Sequence, residues 1–379
     1  MSGVYIHIPF CASRCAYCGF YSTTLGGAVM ERYVRAVCRE ARMRADYPGG
    51  DGSIDTTVST IYVGGGTPSL LAIDHIALLL DAVGTSFRCE VSEITVEMNP
   101  DDVAFDYVAG LRRIGVNRIS MGVQTFDDAQ LRQLGRRHTA RQAVAAIDIV
   151  RRAGIDNVSI DLMFALPGQS LRDVRADVDR ALSLDVEHIS TYSLMYEEDT
   201  PLWKSVDRKE ILPVSDEISA AMYDDIVLRL ERAGYEHYEI SNFARPGRRS
   251  QHNSGYWDGT HYVGLGAAAH SFCGTSRQWN VADVGEYIKQ IERGCVPAER
   301  EVIDERTRYN DLITTALRTS DGLPLAMLTE AQRRYVLGEA RRYVDGGLME
   351  LSGDRLRIAH GSFFVSDGIM ASLILPDDD

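Results

Sequence analysis

The 379-residue chain contains no apolar run near the roughly 20 residues that a spanning helix requires. Its first residues hold no basic stretch followed by an apolar core and a cleavage site. These two absences predict a cytoplasmic protein with no membrane span. Positive charge is also scarce: 40 Lys and Arg face 54 Asp and Glu, for a net charge of -14. An acidic chain is a poor match for nucleic acid or an anionic membrane surface. There is no low-complexity tract and no repeat of fixed length. Cysteine amounts to 7 residues, an odd number, and a core of this size needs no disulfide staples. Cys38, Cys89, Cys273 and Cys295 are scattered and read as small apolar filler. The other three, Cys11, Cys15 and Cys18, lie together in "VYIHIPFCASRCAYCGFYS" without a fourth beside them. Clustered thiols in a large cytosolic chain favour metal or cluster binding over disulfides.

Short β-branched runs alternate with longer helical stretches. Strands are predicted at 4–8, 59–68, 92–100, 116–124, 157–168 and 187–195, and helices include 31–45, 141–154 and 171–184. Such alternation predicts a parallel sheet with crossover helices. The strands read as apolar on both faces, as covered parallel strands should. After about residue 205 the rhythm changes. A helix at 216–234 precedes a Gly, His and Tyr-rich loop region at about 240–275. The rest is mostly helical, with a hairpin around Gly353 and a last helix from about 364. The acidic "PDDD" end reads as a frayed tail. Three segments are expected: a core barrel over 1–205, an extension over 206–280 and a C-terminal domain over 281–379.

Structural zinc takes four protein ligands, and the nearest candidate, His7, sits mid-strand four residues before Cys11. A cubane iron–sulfur cluster held by three thiolates keeps one iron open for a chelating ligand. CxxxCxxC after the first strand of a parallel sheet resembles the pattern of radical SAM proteins, a resemblance that implies S-adenosylmethionine on that iron. Other polar groups recur at strand ends. Gly64, Gly65, Gly66, Thr67 and Pro68 close the second strand, and glycines let backbone N–H groups approach a ligand. Glu97, Gln124 and Asp161 are expected at the ends of the third, fourth and fifth strands, the edge where barrels build sites. A carboxylate there can bind ribose hydroxyls, and Arg136 can pair with a carboxylate.

"YIHIPFCxxxCxxC", "GGGTPS", "VEMNP", "SMGVQTF", "LGRRH" and "IDLMFALPGQ" together resemble the HemN-type branch of radical SAM proteins, from residue 4 to about 200. "RYNDLITTALRTSDGL" (308–323) resembles that branch's C-terminal domain. The resemblance implies a partial TIM-like (β/α)6 barrel with a smaller, mostly helical C-terminal domain. It implies that Cys11, Cys15 and Cys18 ligate a [4Fe–4S] cluster. It places Tyr5 beside cluster and cofactor, and Tyr17 on the adenine. Gly65, Gly66, Thr67, Glu97, Gln124, Arg136 and Asp161 would hold the rest of S-adenosylmethionine.

Two features divide the branch. Its coproporphyrinogen dehydrogenases carry a further cysteine two residues after the third, where this chain has Phe20. They also carry a long extension before the cluster loop, whereas the first cluster cysteine here is residue 11. The second feature is "QHNSGYWDG" (251–259). Its His252, Asn253, Tyr256 and Trp257 resemble the HNxxYW signature of the HemW heme chaperones. A histidine can ligate heme iron, and Tyr and Trp can line a porphyrin plane. His261 and His270 flank the motif as candidates for a second axial ligand. The bland alternative is a packed turn with a bonded histidine. The favoured expectation is a protein that binds heme and passes it to acceptor hemoproteins, with an electron donor for the cluster and at most peripheral contact with membrane-borne acceptors. The alternatives are decarboxylation of two coproporphyrinogen III propionates to vinyl groups, and radical chemistry on an unrelated substrate.

Overall fold

The computed structural model describes residues 2–47 and 57–376, and the acidic tail residues 377–379 lie outside them. Six strands form first: β1 (Ser2–Ile8), β2 (Val58–Gly65), β3 (Cys89–Met98), β4 (Arg118–Gln124), β5 (Asn157–Phe164) and β6 (His188–Ser193). They lie side by side in chain order and all pair in parallel. Crossover helices join them, among them Ala28–Met43, Ile73–Ser86, Ala140–Arg152 and Leu171–Ser183. The helix Ala140–Arg152 starts where Thr139 and Gln142 cap each other's backbone N–H groups.

The predicted loop region is more ordered than the sequence suggests. β7 (Glu236–Glu239) and β8 (Asn242–Ala244) extend the sheet beyond β6. β9 (His261–Leu265) pairs in parallel with β1, and β10 (His270–Phe272), β11 (Ser276–Asn280) and β12 (Ala298–Val302) continue from it. The result is one twelve-stranded sheet. These strands are short and several are mostly polar, such as Glu236–Glu239, Ser276–Asn280 and Ala298–Val302, so apolar alternation was a poor guide to them. Beyond the sheet, β13 (Leu323–Pro324), β14 (Met349–Ser352) and β15 (Arg355–Ile358) make a three-stranded sheet beside the helices Glu305–Ala316 and Glu330–Asp345. Its hairpin turns at Gly353, whose φ of 61° suits glycine. The last helix spans Ser366–Ala371. No helix among the described residues is long and apolar enough to cross a membrane.

The strands are not apolar on both faces. Val4, Ile6, Ile8, Ile61, Val63, Val96, Ile119, Met121, Val123, Val158 and Ile160 join the helices in the main hydrophobic core. The alternate residues face inward and are polar. There Tyr5 packs on Tyr62, Tyr62 bonds to Glu97 and Ser159 bonds to His188. The period-2 pattern thus carries an oily layer outside and a polar lumen inside, unlike a barrel whose interior is filled by branched apolar side chains.

Candidate functional site

The three-cysteine loop follows β1 and is strapped at several points. The Cys11 N–H donates to the Thr23 carbonyl at 2.8 Å, the Ala16 N–H to Leu134 at 3.0 Å and the Leu202 N–H to Ala16 at 2.9 Å. All three thiols are free and partly exposed. Two of the sulfurs already have donors: the Thr67 hydroxyl lies 3.6 Å from Cys11 Sγ, and Arg136 Nη1 lies 3.6 Å from Cys15 Sγ. Burial pushes the Cys18 thiol up, with Cys15 and Cys11 adding to it. Metal ligation by cysteine requires the sulfur to lose its proton, so three such sulfurs side by side would be held together by a cation between them, and hydrogen bonds to sulfur tune such a centre.

Gly66 belongs to this cradle. A Cβ there would sit 2.8 Å from the Phe10 carbonyl and 2.9 Å from Cys11 Sγ. Gly65 has φ 117°, and its N–H donates to Glu97 Oε2 at 2.9 Å. Glu97 also accepts the Tyr62 hydroxyl at 2.8 Å. Burial pushes Glu97 up to about 7, with those two donors pulling the other way. Burial likewise raises Asp161 to about 6, against the pull of Ser190, Arg118 and Arg136. Neither carboxylate closes its strand: Glu97 is one residue from the end of β3, and Asp161 is mid-strand in β5. A polar lumen lets an inward carboxylate lie deeper than the rim.

Gln124 does end β4, in the left-handed region at φ 70°, a conformation that costs a non-glycine residue about 1–3 kcal/mol. Arg136 Nη2 reaches the Gly122 carbonyl at 2.5 Å and Asn99 Oδ1 at 2.8 Å. Asn99 Nδ2 donates to Thr67 Oγ1 at 3.3 Å. Tyr17 packs against a small apolar cluster of Leu134, Met163, Leu166, Leu194 and Leu202. Tyr5 is further inside, its hydroxyl 3.0 Å from His7 Nδ1. His7 is buried and bonded to the Tyr21 carbonyl, which makes it a brace for the cluster loop. Cys11, Gly66, Thr67, Asn99, Arg136 and Cys15 therefore form one connected set, and Gly65, Glu97 and Tyr62 a second set beside it.

The HNxxYW segment lies at the opposite end of the strands. It forms the helix Gln251–Trp257, and the Glu93 carboxylate accepts its first N–H groups, from Gln251 at 3.1 Å and His252 at 3.0 Å. His252 is 4% exposed. Its Nδ1 pairs with the Thr60 hydroxyl at 2.9 Å and its Nε2 with the Tyr256 hydroxyl at 2.9 Å. Its ring stacks on Tyr62 at 5.2 Å. Thr60 and Gly65 are both on β2, so the motif and the cluster edge are roughly 16 Å apart along that strand. Tyr62 lies between them. A cleft of about 210 Å³ borders the motif, lined by Gly3, Thr60, His252, Tyr256, His261 and Tyr262 among others. Trp257 lies under the Arg318 guanidinium at 4.8 Å. His270 is exposed and stacks on Trp279, away from the cleft lining.

Sequence reasoning passed over Tyr62, Glu93, Asn99 and Arg118. Arg118 is 1% exposed, and its three guanidinium nitrogens have no hydrogen-bond partner. Its charge pulls down the pKa values of Glu97, Asp161, His188 and His252. The missed signal was strict alternation: Glu93, Thr95 and Glu97 occupy one side of β3, with Ile94, Val96 and Met98 on the other. Among the scattered cysteines, Cys38 and Cys273 are buried as filler, whereas Cys295 is exposed.

The sequence pattern of the Radical SAM superfamily matches residues 5–181. Heme chaperone HemW of Mycobacterium tuberculosis is 35% identical over 98% of this chain and 94% of its own length. Heme chaperone HemW of Bacillus subtilis is 34% identical, with 89% of each chain covered. The solved structure of the coproporphyrinogen III oxidase HemN from Escherichia coli superposes with a TM-score of 0.81 over 98% of this chain and 89% of its own, at 20% identity. That likeness concerns the fold. The partial α/β barrel with a mostly helical C-terminal part is therefore shared with HemN, while sequence identity over nearly the full length places the relationship more narrowly: the chain belongs to the HemW family of the radical SAM superfamily.

Proposed function

We propose that this protein is a heme chaperone that carries a [4Fe–4S] cluster and S-adenosylmethionine. The observation that carries the reading is the full-length similarity to proteins named heme chaperone HemW. The donor set supports the cluster: three thiols on one strapped loop, two with donors on sulfur, and a glycine that leaves no room for a Cβ. Cys11, Cys15 and Cys18 would hold it. Gly65, Gly66, Thr67, Glu97, Gln124, Arg136 and Asp161, with Tyr5 and Tyr17, would hold S-adenosylmethionine. Bound together, the two groups supply one-electron reduction of a sulfonium.

The chain's own residues do the positioning. Arg136 bridges Cys15, Asn99 and Gly122, fixing the loop against β3 and β4. Glu97 presents a buried acceptor whose proton affinity is raised to about 7, so it can stay neutral or ionise near physiological pH. Heme is proposed to engage His252, Tyr256 and Trp257. Both His252 ring nitrogens are bonded in this structure, and the adjoining 210 Å³ cleft is smaller than the roughly 300–1,000 Å³ of small-molecule sites. Heme entry there requires Tyr256 to leave Nε2 and the helix Gln251–Trp257 to move. The proposed setting is the cytoplasm, with an electron donor for the cluster and hemoproteins as acceptors.

Anaerobic titration of cluster-loaded protein with hemin, followed in the Soret band, tests the heme site. The account expects one heme per chain and at least tenfold weaker binding in His252→Ala. Unchanged affinity and spectrum in that variant would remove His252 as a ligand.

A further inference from the structure

Far from the cluster loop, three side chains from separate parts of the chain meet at the edge of the sheet. His237 is on β7, the last strand of the sheet. Glu231 is near the end of the helix Asp216–Arg232, and His360 begins the turn His360–Val365 after the terminal hairpin. One ring nitrogen from each histidine and one carboxylate oxygen lie within 4.8 Å of one another. The Glu231 to His360 contact is already 2.5 Å.

The protonation of His237 can be read from its neighbours. Its Nε2 lies 3.2 Å from the Ile240 carbonyl and 3.3 Å from the Tyr223 hydroxyl. Tyr223 gives its own proton to that same carbonyl at 2.6 Å. Both neighbours of Nε2 are therefore acceptors, so Nε2 carries the hydrogen and Nδ1 keeps a lone pair. Nδ1 is buried and has no hydrogen-bond partner, although His237 is only 5% exposed. An unpaired buried acceptor costs about 1–3 kcal/mol, which makes it an unusual feature unless something binds there. A histidine that donates one N–H to a backbone carbonyl while its other nitrogen is left for an ion is the usual arrangement at metal sites. Phe243 stacks on the ring at 4.2 Å and Phe363 meets it edge-on at 4.9 Å, so its orientation is fixed.

We propose that His237, His360 and Glu231 bind one divalent transition-metal ion, zinc by the chemistry of two imidazoles and a carboxylate, and so clip the terminal segment to the edge of the sheet. Tetrahedral zinc bonds to nitrogen and oxygen put ligand atoms roughly 3.4 Å apart, so the Glu231–His360 pair, now at 2.5 Å, opens to admit the ion while His237 draws in from within 4.8 Å. The ion takes the place of the proton shared by Glu231 and His360. With three protein ligands, its fourth position stays open to water.

The test uses cluster-loaded protein under anaerobic conditions. It is incubated with zinc chloride and desalted, zinc and iron are counted by mass spectrometry, and the zinc shell is read by X-ray absorption. The expected result is one zinc per chain in a shell of nitrogen and oxygen only. His360→Ala and Glu231→Gln should each lose at least tenfold in zinc affinity while keeping wild-type iron. Both side chains are partly exposed, so neither substitution empties the core. Failure to retain one zinc, sulfur in its shell, or equal retention by the two variants would overturn the proposal.

Discussion

Burial pushes the pKa of His252 down to about 3, against an ordinary value of 6.5. The folded value lies below the unfolded one, so the unfolded chain takes up the proton first as pH falls. The stability this group contributes is therefore complete above pH 6.5 and is lost between there and about 3. His7 and His138, each lowered to about 4 by burial, act in the same sense. His252→Gln should cost about 1–3 kcal/mol at pH 7, because Thr60 and Tyr256 lose their partner, and the gap to wild type should narrow by pH 4.5. Urea unfolding at the two pH values checks this, and a gap independent of pH would contradict it. A second residue, Thr67, donates to Cys11 Sγ, a ligand of the proposed cluster. Partners of this kind are worth about 10–100-fold in metal affinity. Thr67→Val should therefore release iron to a chelator roughly tenfold faster, and an unchanged rate of bleaching would show that the hydroxyl does not support the cluster.

At the scale of elements, the helix Gln251–Trp257 depends on Glu93 in β3, which caps its first two N–H groups. Loss of such a cap costs about 0.5–2 kcal/mol, so Glu93→Ala should lower stability by that order and loosen His252. Chemical denaturation gives the first effect and proteolysis near residue 251 the second; full stability would sink the idea. The cluster loop has its own sensitive point. Gly66→Ala forces a Cβ against Phe10 and Cys11 and should cut iron content after reconstitution well below the wild-type level. This scale also shows what the sequence made legible. The six parallel strands, their helices and the cysteine loop followed from pattern and motif, because local spacing encodes them. The polar lumen did not, since strands were judged by overall apolar content, and the alternation of Glu93, Thr95 and Glu97 was passed over. Asn99 and Tyr62 take their roles from contacts 32 and 35 residues away, which no local window displays. The strands of the sheet beyond residue 236 were hidden by their shortness and their polar residues.

For the whole molecule, two ends of one barrel are at issue. The three-cysteine edge and the HNxxYW helix are joined through contacts of Glu97 with Tyr62 and of Tyr62 with His252. Phe20 sits on the cluster loop, 72% exposed, where the dehydrogenases of the branch resembled carry another cysteine. Cluster-loaded protein given S-adenosylmethionine, a reductant and coproporphyrinogen III should therefore yield no protoporphyrinogen by chromatography, and product over several turnovers would restore the enzyme reading. The most direct measurement is heme transfer. Heme-loaded protein with an intact cluster is mixed anaerobically with an apo b-type cytochrome, and the two are separated and their heme counted. The account predicts that heme moves to the cytochrome faster than from free hemin buffered by albumin, and that the transfer weakens in His252→Ala. Heme that stays on this protein, or that never binds it in a defined ratio, would contradict the account.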